Sequence, residues 1–226
     1  MTTTTNKSTA VLLAAHQLAC ERDERLLFSD LSFELYAGDL LQLEGPNGAG
    51  KTSLMRLLAG LLPFSEGELT WQGQNLHTCR EDFYQSMLFI GHLAGIKVEL
   101  SPLENLHWFA ALEGIQDEAL LEQALYQVGL AGYEDHPCHQ LSAGQKRRVA
   151  LARLLFTQRP VWLLDEPFTA LDKAAVAAME RLLVAHCQVG GAVILTSHHA
   201  LENLPNLKVL SLGAAALDTA ALGETL

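Results

Sequence analysis

The chain has 226 residues, 49% of them hydrophobic, and a formal net charge of −11 at pH 7; it can bury a core without staples and lacks the basic stripe of a nucleic-acid surface. Cys20, Cys79, Cys138 and Cys187 stand singly, with no Cys-x-x-Cys pair to indicate zinc, redox chemistry or covalent haem attachment, which fits reduced thiols in a cytosol. Apolar runs such as 57–64, broken by Gly60 and Pro63, fall far short of the ~20 residues that span a bilayer, so any membrane role is expected through a partner.

In chain order, residues 1–9 lack the apolar core of a signal peptide and read as a disordered tail, ahead of one domain over 10–212 and an Ala-rich C-terminal tail over 213–226. Leu31 to Tyr36, and later Glu68 to Trp71 with the turn-like Gln72-Gly73, suggest an antiparallel β part near the N-terminus. Asp39 to Glu44 alternates like a strand, and 52–59 has helical spacing that stops at Gly60. Between them lie Gly45-Pro46-Asn47-Gly48-Ala49-Gly50-Lys51-Thr52, a P-loop in its required strand–loop–helix context. A helical subdomain is expected over about 93–140, from Leu103, Leu106, Phe109 and Ala110 and then Leu120, Leu121, Ala124, Leu125 and Val128 at core spacing. Trp108 and Phe109 are assigned to its core. His136-Pro137-Cys138-His139 matches no metal-site spacing and reads as a polar connection.

Ser142 then sits where an N-cap belongs, ahead of the helical run 146–155, whose Lys146-Arg147-Arg148 start reads as a solvated face. Val161 to Leu164 is a buried-strand pattern ending in Asp165 and Glu166, at the strand edge where α/β folds bind ligands. Ala170-Leu171-Asp172, a helical stretch, the strand Ala192 to Thr196 and the pair His198-His199 complete the series. The P-loop's glycines and the positive end of its helix make an anion site. There Lys51 is placed for β- and γ-phosphates and Thr52 for Mg²⁺. Asp165 and Glu166 supply the metal carboxylate and the base that such a site needs.

This ordered set resembles the Walker A, signature, Walker B, D-loop and H-loop motifs of ATP-binding cassette (ABC) ATPases over nearly the whole chain. The resemblance implies an α/β P-loop NTPase of the ABC type, with a mainly parallel core sheet, an antiparallel N-terminal part and a helical subdomain. It also implies a head-to-tail homodimer that sandwiches two ATP molecules with Mg²⁺. On that pattern Gly45 to Ser53 cradle the phosphates, Asp165 holds Mg²⁺ through water, Glu166 polarises the attacking water, and His198 contacts the γ-phosphate. Ser142, Gly144 and Gln145 of the signature, with Asp172 of the D-loop, serve the opposite subunit's site. Two positions depart from the pattern. His92 stands where the family has a Q-loop glutamine, and Arg22 where an aromatic ring stacks on adenine; a guanidinium plane can stack on a base, with Phe28 as an outside candidate.

A finer resemblance, carried by Cys20 to Arg25, Trp71-Gln72-Gly73-Gln74, Ile90-Gly91-His92, Gly95-Ile96-Lys97 and Glu166 to Ala170, is to the ATPase subunits of cytochrome c maturation. It implies a peripheral protein on the cytoplasmic face of a bacterial inner membrane, paired with a CcmB-like membrane-spanning subunit and further maturation proteins. Its hydrolysis would drive haem export or haem release. The alternative is a soluble non-transport ABC ATPase, such as one of iron-sulfur assembly; the single cassette and absence of heptads weigh against ribosome-associated and repair types.

Overall fold

A computed structural model describes residues 11–22, 25–199, 201 and 204–213; the expected tail 1–9 lies outside them, as does the expected tail 213–226 apart from Gly213. The chain runs β1 (Val11–Arg22), β2 (Arg25–Tyr36), β3 (Leu40–Glu44), α1 (Lys51–Leu58), β4 (Glu66–Trp71), β5 (Gln74–Asn75), α2 (Arg80–Ser86) and β6 (Met87–Ile90). It continues through α3 (Pro102–Ala111), α4 (Glu118–Gln127), α5 (Ala143–Ala152), β7 (Val161–Asp165), α6 (Lys173–Gln188), β8 (Ala192–Thr196) and β9 (Leu207–Ser211). Short 3₁₀ turns at Cys138–Gln140 and Arg153–Leu155 flank α5.

Two sheets divide the strands. The first, in the order β2-β1-β4-β5, is antiparallel throughout. The second, β6-β7-β8-β3-β9, is parallel throughout. Every residue of β7 and β8 is buried, which is why these strands read as unbroken apolar runs: a parallel sheet has both faces covered. One face meets α1 and the antiparallel sheet through Leu43, Leu54, Met55, Leu163 and Ile194. The other meets α6 through Leu164, Leu195, Met179 and Leu183. Burial of each such side chain contributes about 1.5–3 kcal/mol.

The register positions the site. Because β8 lies between β3 and β7, Leu43 and Asp165 both sit beside Thr196. The loop leaving β3 and the acidic end of β7 therefore open on one sheet edge, where α/β folds place ligands.

A third apolar cluster joins α3, α4 and α5 through Leu106, Phe109, Leu121, Leu125, Val149 and Phe156. Ser101 and Glu104 form a capping box ahead of Pro102 at the start of α3, and Asp117 caps α4. Buried Asn105 braces the preceding loop, its Oδ1 accepting from Lys97 N at 2.8 Å and its Nδ2 donating to Lys97 O at 2.9 Å. Phe109 is buried as expected, but Trp108 is 43% exposed, a correction with a simple cause. The buried stripe of α3 runs through Leu106, Phe109 and Ala110 at i, i+3 and i+4, which turns Trp108 outward at about 100° per residue; there the Lys97 ammonium sits 4.8 Å over the Trp108 ring. In the 136–139 cluster Cys138 is buried against Asn105, whereas His136 and His139 are exposed.

Candidate active site

A cleft of about 560 Å³ on that sheet edge is lined by Arg22, Leu27, Asn47, Gly48, Gly50, Lys51, Thr52, Ser53, His92, Asp165, Glu166, Thr196 and His198. Its floor is the turn between β3 and α1. Gly45 must lack a side chain, since a Cβ there would come 2.5 Å from the Leu212 carbonyl oxygen. Gly50 begins α1 in the left-handed region, φ 96°, and no side chain caps the helix. The first N–H groups of any α-helix have no partner within it, and here they border the cleft. Lys51 Nζ donates to the Gly45 and Pro46 carbonyls at 2.6 and 3.2 Å. Ala49 N donates to Pro46 O at 3.1 Å and closes the turn.

The acidic side is built from strand ends. Asp165 is 1% exposed. Its Oδ1 accepts from Thr196 Oγ1 at 2.7 Å and Thr52 Oγ1 at 3.5 Å, while its Oδ2 is buried with no partner among the described residues. A buried carboxylate oxygen without a donor is costly. Together with the adjacent threonine hydroxyl, that oxygen suits a hard divalent cation such as Mg²⁺, which takes one or two protein oxygens and keeps several waters.

Glu166 follows in a left-handed conformation, φ 54°, with its N–H donating to Thr196 Oγ1 at 2.9 Å. Its carboxylate accepts from His198 N at 3.3 Å and lies 3.6 Å from His198 Nε2. Thr196, which the sequence reading passed over, thus ties both carboxylate residues together. The signal for it was its place at the end of the next apolar strand.

Arg147 is the larger correction. Expected on a solvated face, it is 5% exposed and donates to Gly91 O at 2.7 Å, Asp165 O at 2.8 Å and Glu166 O at 3.0 Å. Burial pulls its pKa below the usual range, opposed by the Asp165 and Glu166 charges. Phe28 also departs from expectation. It is buried beneath the start of α1, its ring 3.1 Å from where a Gly50 Cβ would stand, so Arg22 and Leu27 occupy the cleft wall in its place.

Ser142, Gly144, Gln145 and Asp172 do not line this cleft. Ser142 and Gln145 form a capping box at the start of α5, with Gln145 N donating to Ser142 Oγ and Ser142 N to Gln145 Oε1. Asp172 caps α6 and pairs with Arg148 at 2.5 Å; the Ala175 N–H, foremost, and Arg148 hold its pKa low.

Fold and cleft together define an ABC-type ATP-binding subunit. Residues 28–169 match the ABC transporter family. A solved ATP-binding subunit of an ABC transporter superposes with a TM-score of 0.79 at 23% identity, covering 89% of this chain and 88% of the other. An ABC transporter ATP-binding protein from Pyrococcus furiosus gives 0.75 at 23% identity, covering 88% and 96%. At higher identity stand proteins named cytochrome c biogenesis ATP-binding export protein CcmA. That of Hahella chejuensis is 52% identical over 90% of this chain and 96% of its own. That of Escherichia coli K12 is 54% identical over 84% and 91%. The chain belongs to the ABC transporter family and, within it, to the CcmA family.

Proposed function

We propose that the chain is the ATP-hydrolysing subunit of an ABC transporter complex of c-type cytochrome biogenesis, coupling hydrolysis to haem export or haem release. The observation that carries the ATPase reading is the convergence of an uncapped helix start, Lys51, Thr52, Asp165 and Glu166 on one cleft. In it the turn's N–H groups and Lys51 receive the β- and γ-phosphates. Lys51 needs only to exchange two loop carbonyls for phosphate oxygens. Thr52 and Asp165 would hold Mg²⁺, which when bound neutralises charge on the phosphates. Glu166 orients the attacking water and accepts its proton as the oxygen–phosphorus bond forms and ADP leaves. His198, beside Glu166, reaches toward the γ-phosphate. Arg22 and His92 line the same cleft, Arg22 assigned to stack on adenine and His92 to the Q-loop position.

Ser142, Gly144, Gln145 and Asp172, outside this cleft, fit the second half of a composite site. In a head-to-tail homodimer, α5 of one subunit faces the ATP held by the other. Ser142 Oγ is engaged as an acceptor, so its own hydrogen stays available for a phosphate oxygen. Among the described residues no helix is long and apolar enough to cross a membrane. Attachment to the cytoplasmic face of an inner membrane then runs through a membrane-spanning CcmB-like subunit. Gentle-detergent pull-down from native membranes, with mass spectrometry and haem absorbance, tests this: recovery of a multispanning subunit with haem-handling maturation proteins is expected. Recovery of soluble assembly proteins alone would contradict it.

A further inference from the structure

Arg147 has more contacts with the reaction centre than a helix-surface cation needs. Its guanidinium leaves α5 and spans two strand ends, donating to the carbonyl of Gly91, next to His92, and to two successive carbonyls at Asp165 and Glu166. A β-carbon-bearing residue persists in the left-handed region only where its surroundings over-determine it. Glu166, at φ 54°, is held on both sides, by Thr196 Oγ1 on its N–H and by Arg147 Nη2 on its carbonyl and the one before. The fork also leaves its own Nε buried without a partner among the described residues. A residue selected for stability alone gains nothing from that orphan donor.

We propose that Arg147 is a positioning residue for hydrolysis: it locks the left-handed turn that aims the Glu166 carboxylate and fixes the peptide carrying His92. It touches no substrate atom. This rests on the reading of Glu166 as the residue that activates water. Because the same side chain ends in α5, the geometry of Glu166 becomes tied to the helix that carries Ser142. Lysine keeps the charge facing Asp165 and Glu166 but is a point donor that cannot bridge separated carbonyls as the planar fork does. Methionine removes both.

The test compares full-length wild type with Arg147→Lys and Arg147→Met, measuring kcat and KM for MgATP by phosphate release, ATP affinity by equilibrium titration, and the melting temperature. A misplacement of about 1 Å costs on the order of 10²-fold, so kcat is expected to fall by about that factor in Arg147→Met and by less in Arg147→Lys, with KM and ATP affinity retained. Should Arg147→Met fail to fold, Arg147→Lys decides. Wild-type kcat in Arg147→Lys overturns the proposal, as does a kcat loss that merely follows a drop in ATP affinity or melting temperature. A wild-type chain that binds ATP yet never hydrolyses it removes the ATPase reading itself, and the proposal with it.

Discussion

α1 and α5 both carry residues that the proposed composite site assigns to phosphate, yet their N-termini are opposites. α1 starts at a left-handed glycine with no side-chain cap, so its first N–H groups stay available on the cleft. α5 starts from a reciprocal Ser142–Gln145 capping box that satisfies two of its own donors. An open terminus suits the phosphates of a ligand held in the same chain. A closed terminus offers a single hydroxyl hydrogen and suits contact from across an interface. The contrast is consistent with the proposal that the signature residues, which lie outside the cleft that the P-loop builds, serve the site of a second subunit.

The largest expected effect concerns what the open terminus is for. Glu166→Gln keeps the cleft's shape and removes the base, which is worth about 10²–10⁴-fold in rate; phosphate release should fall by that order while ATP titration is unaltered. Undiminished release would refute the role of Glu166. Lys51→Ala acts on binding instead. Loss of a charge-assisted hydrogen bond costs about 1.5–3 kcal/mol, so ATP affinity should drop by roughly ten- to hundredfold, and normal affinity would count against the P-loop assignment. Gly50→Ala puts a β-carbon at φ 96° and 3.1 Å from the Phe28 ring. Left-handed strain of about 1–2 kcal/mol should lower the melting temperature; unchanged melting would show that α1 can start another way. Ser142→Ala is the mildest. Loss of an N-cap costs about 1 kcal/mol, expected as a small fall in melting temperature with ATP affinity of the monomer retained. A marked loss of monomer affinity would place Ser142 in its own chain's site and erase the contrast between the two helices.

Much of this was legible in sequence because it rests on local pattern. The apolar runs of β7 and β8 announce strands covered on both faces, and Gly45 to Thr52 can only be a turn that exposes N–H groups. Arg147 was not read correctly because three successive cations look like a solvated face. The helical period held the better signal: 147, 150, 151 and 154 are i, i+3, i+4 and i+7, and Ala150, Leu151 and Leu154 are all buried. Thr196 was missed because its role exists only through parallel pairing of Asp165 with Thr196, a contact between residues 31 apart in sequence. β1 and β9 were missed as well. Strand pairing places them, β1 between its hairpin partner β2 and the more distant β4, and β9 on the edge beside β3, and local periodicity carries little of that.

The most direct test of the composite site is the solution mass of the Glu166→Gln protein by light scattering, with and without MgATP. Without nucleotide the mass should be that of one 24.6 kDa chain, and with MgATP it should double, because two bound ATP molecules bridge each P-loop to the other subunit's α5. A single-chain mass at saturating MgATP would contradict the account.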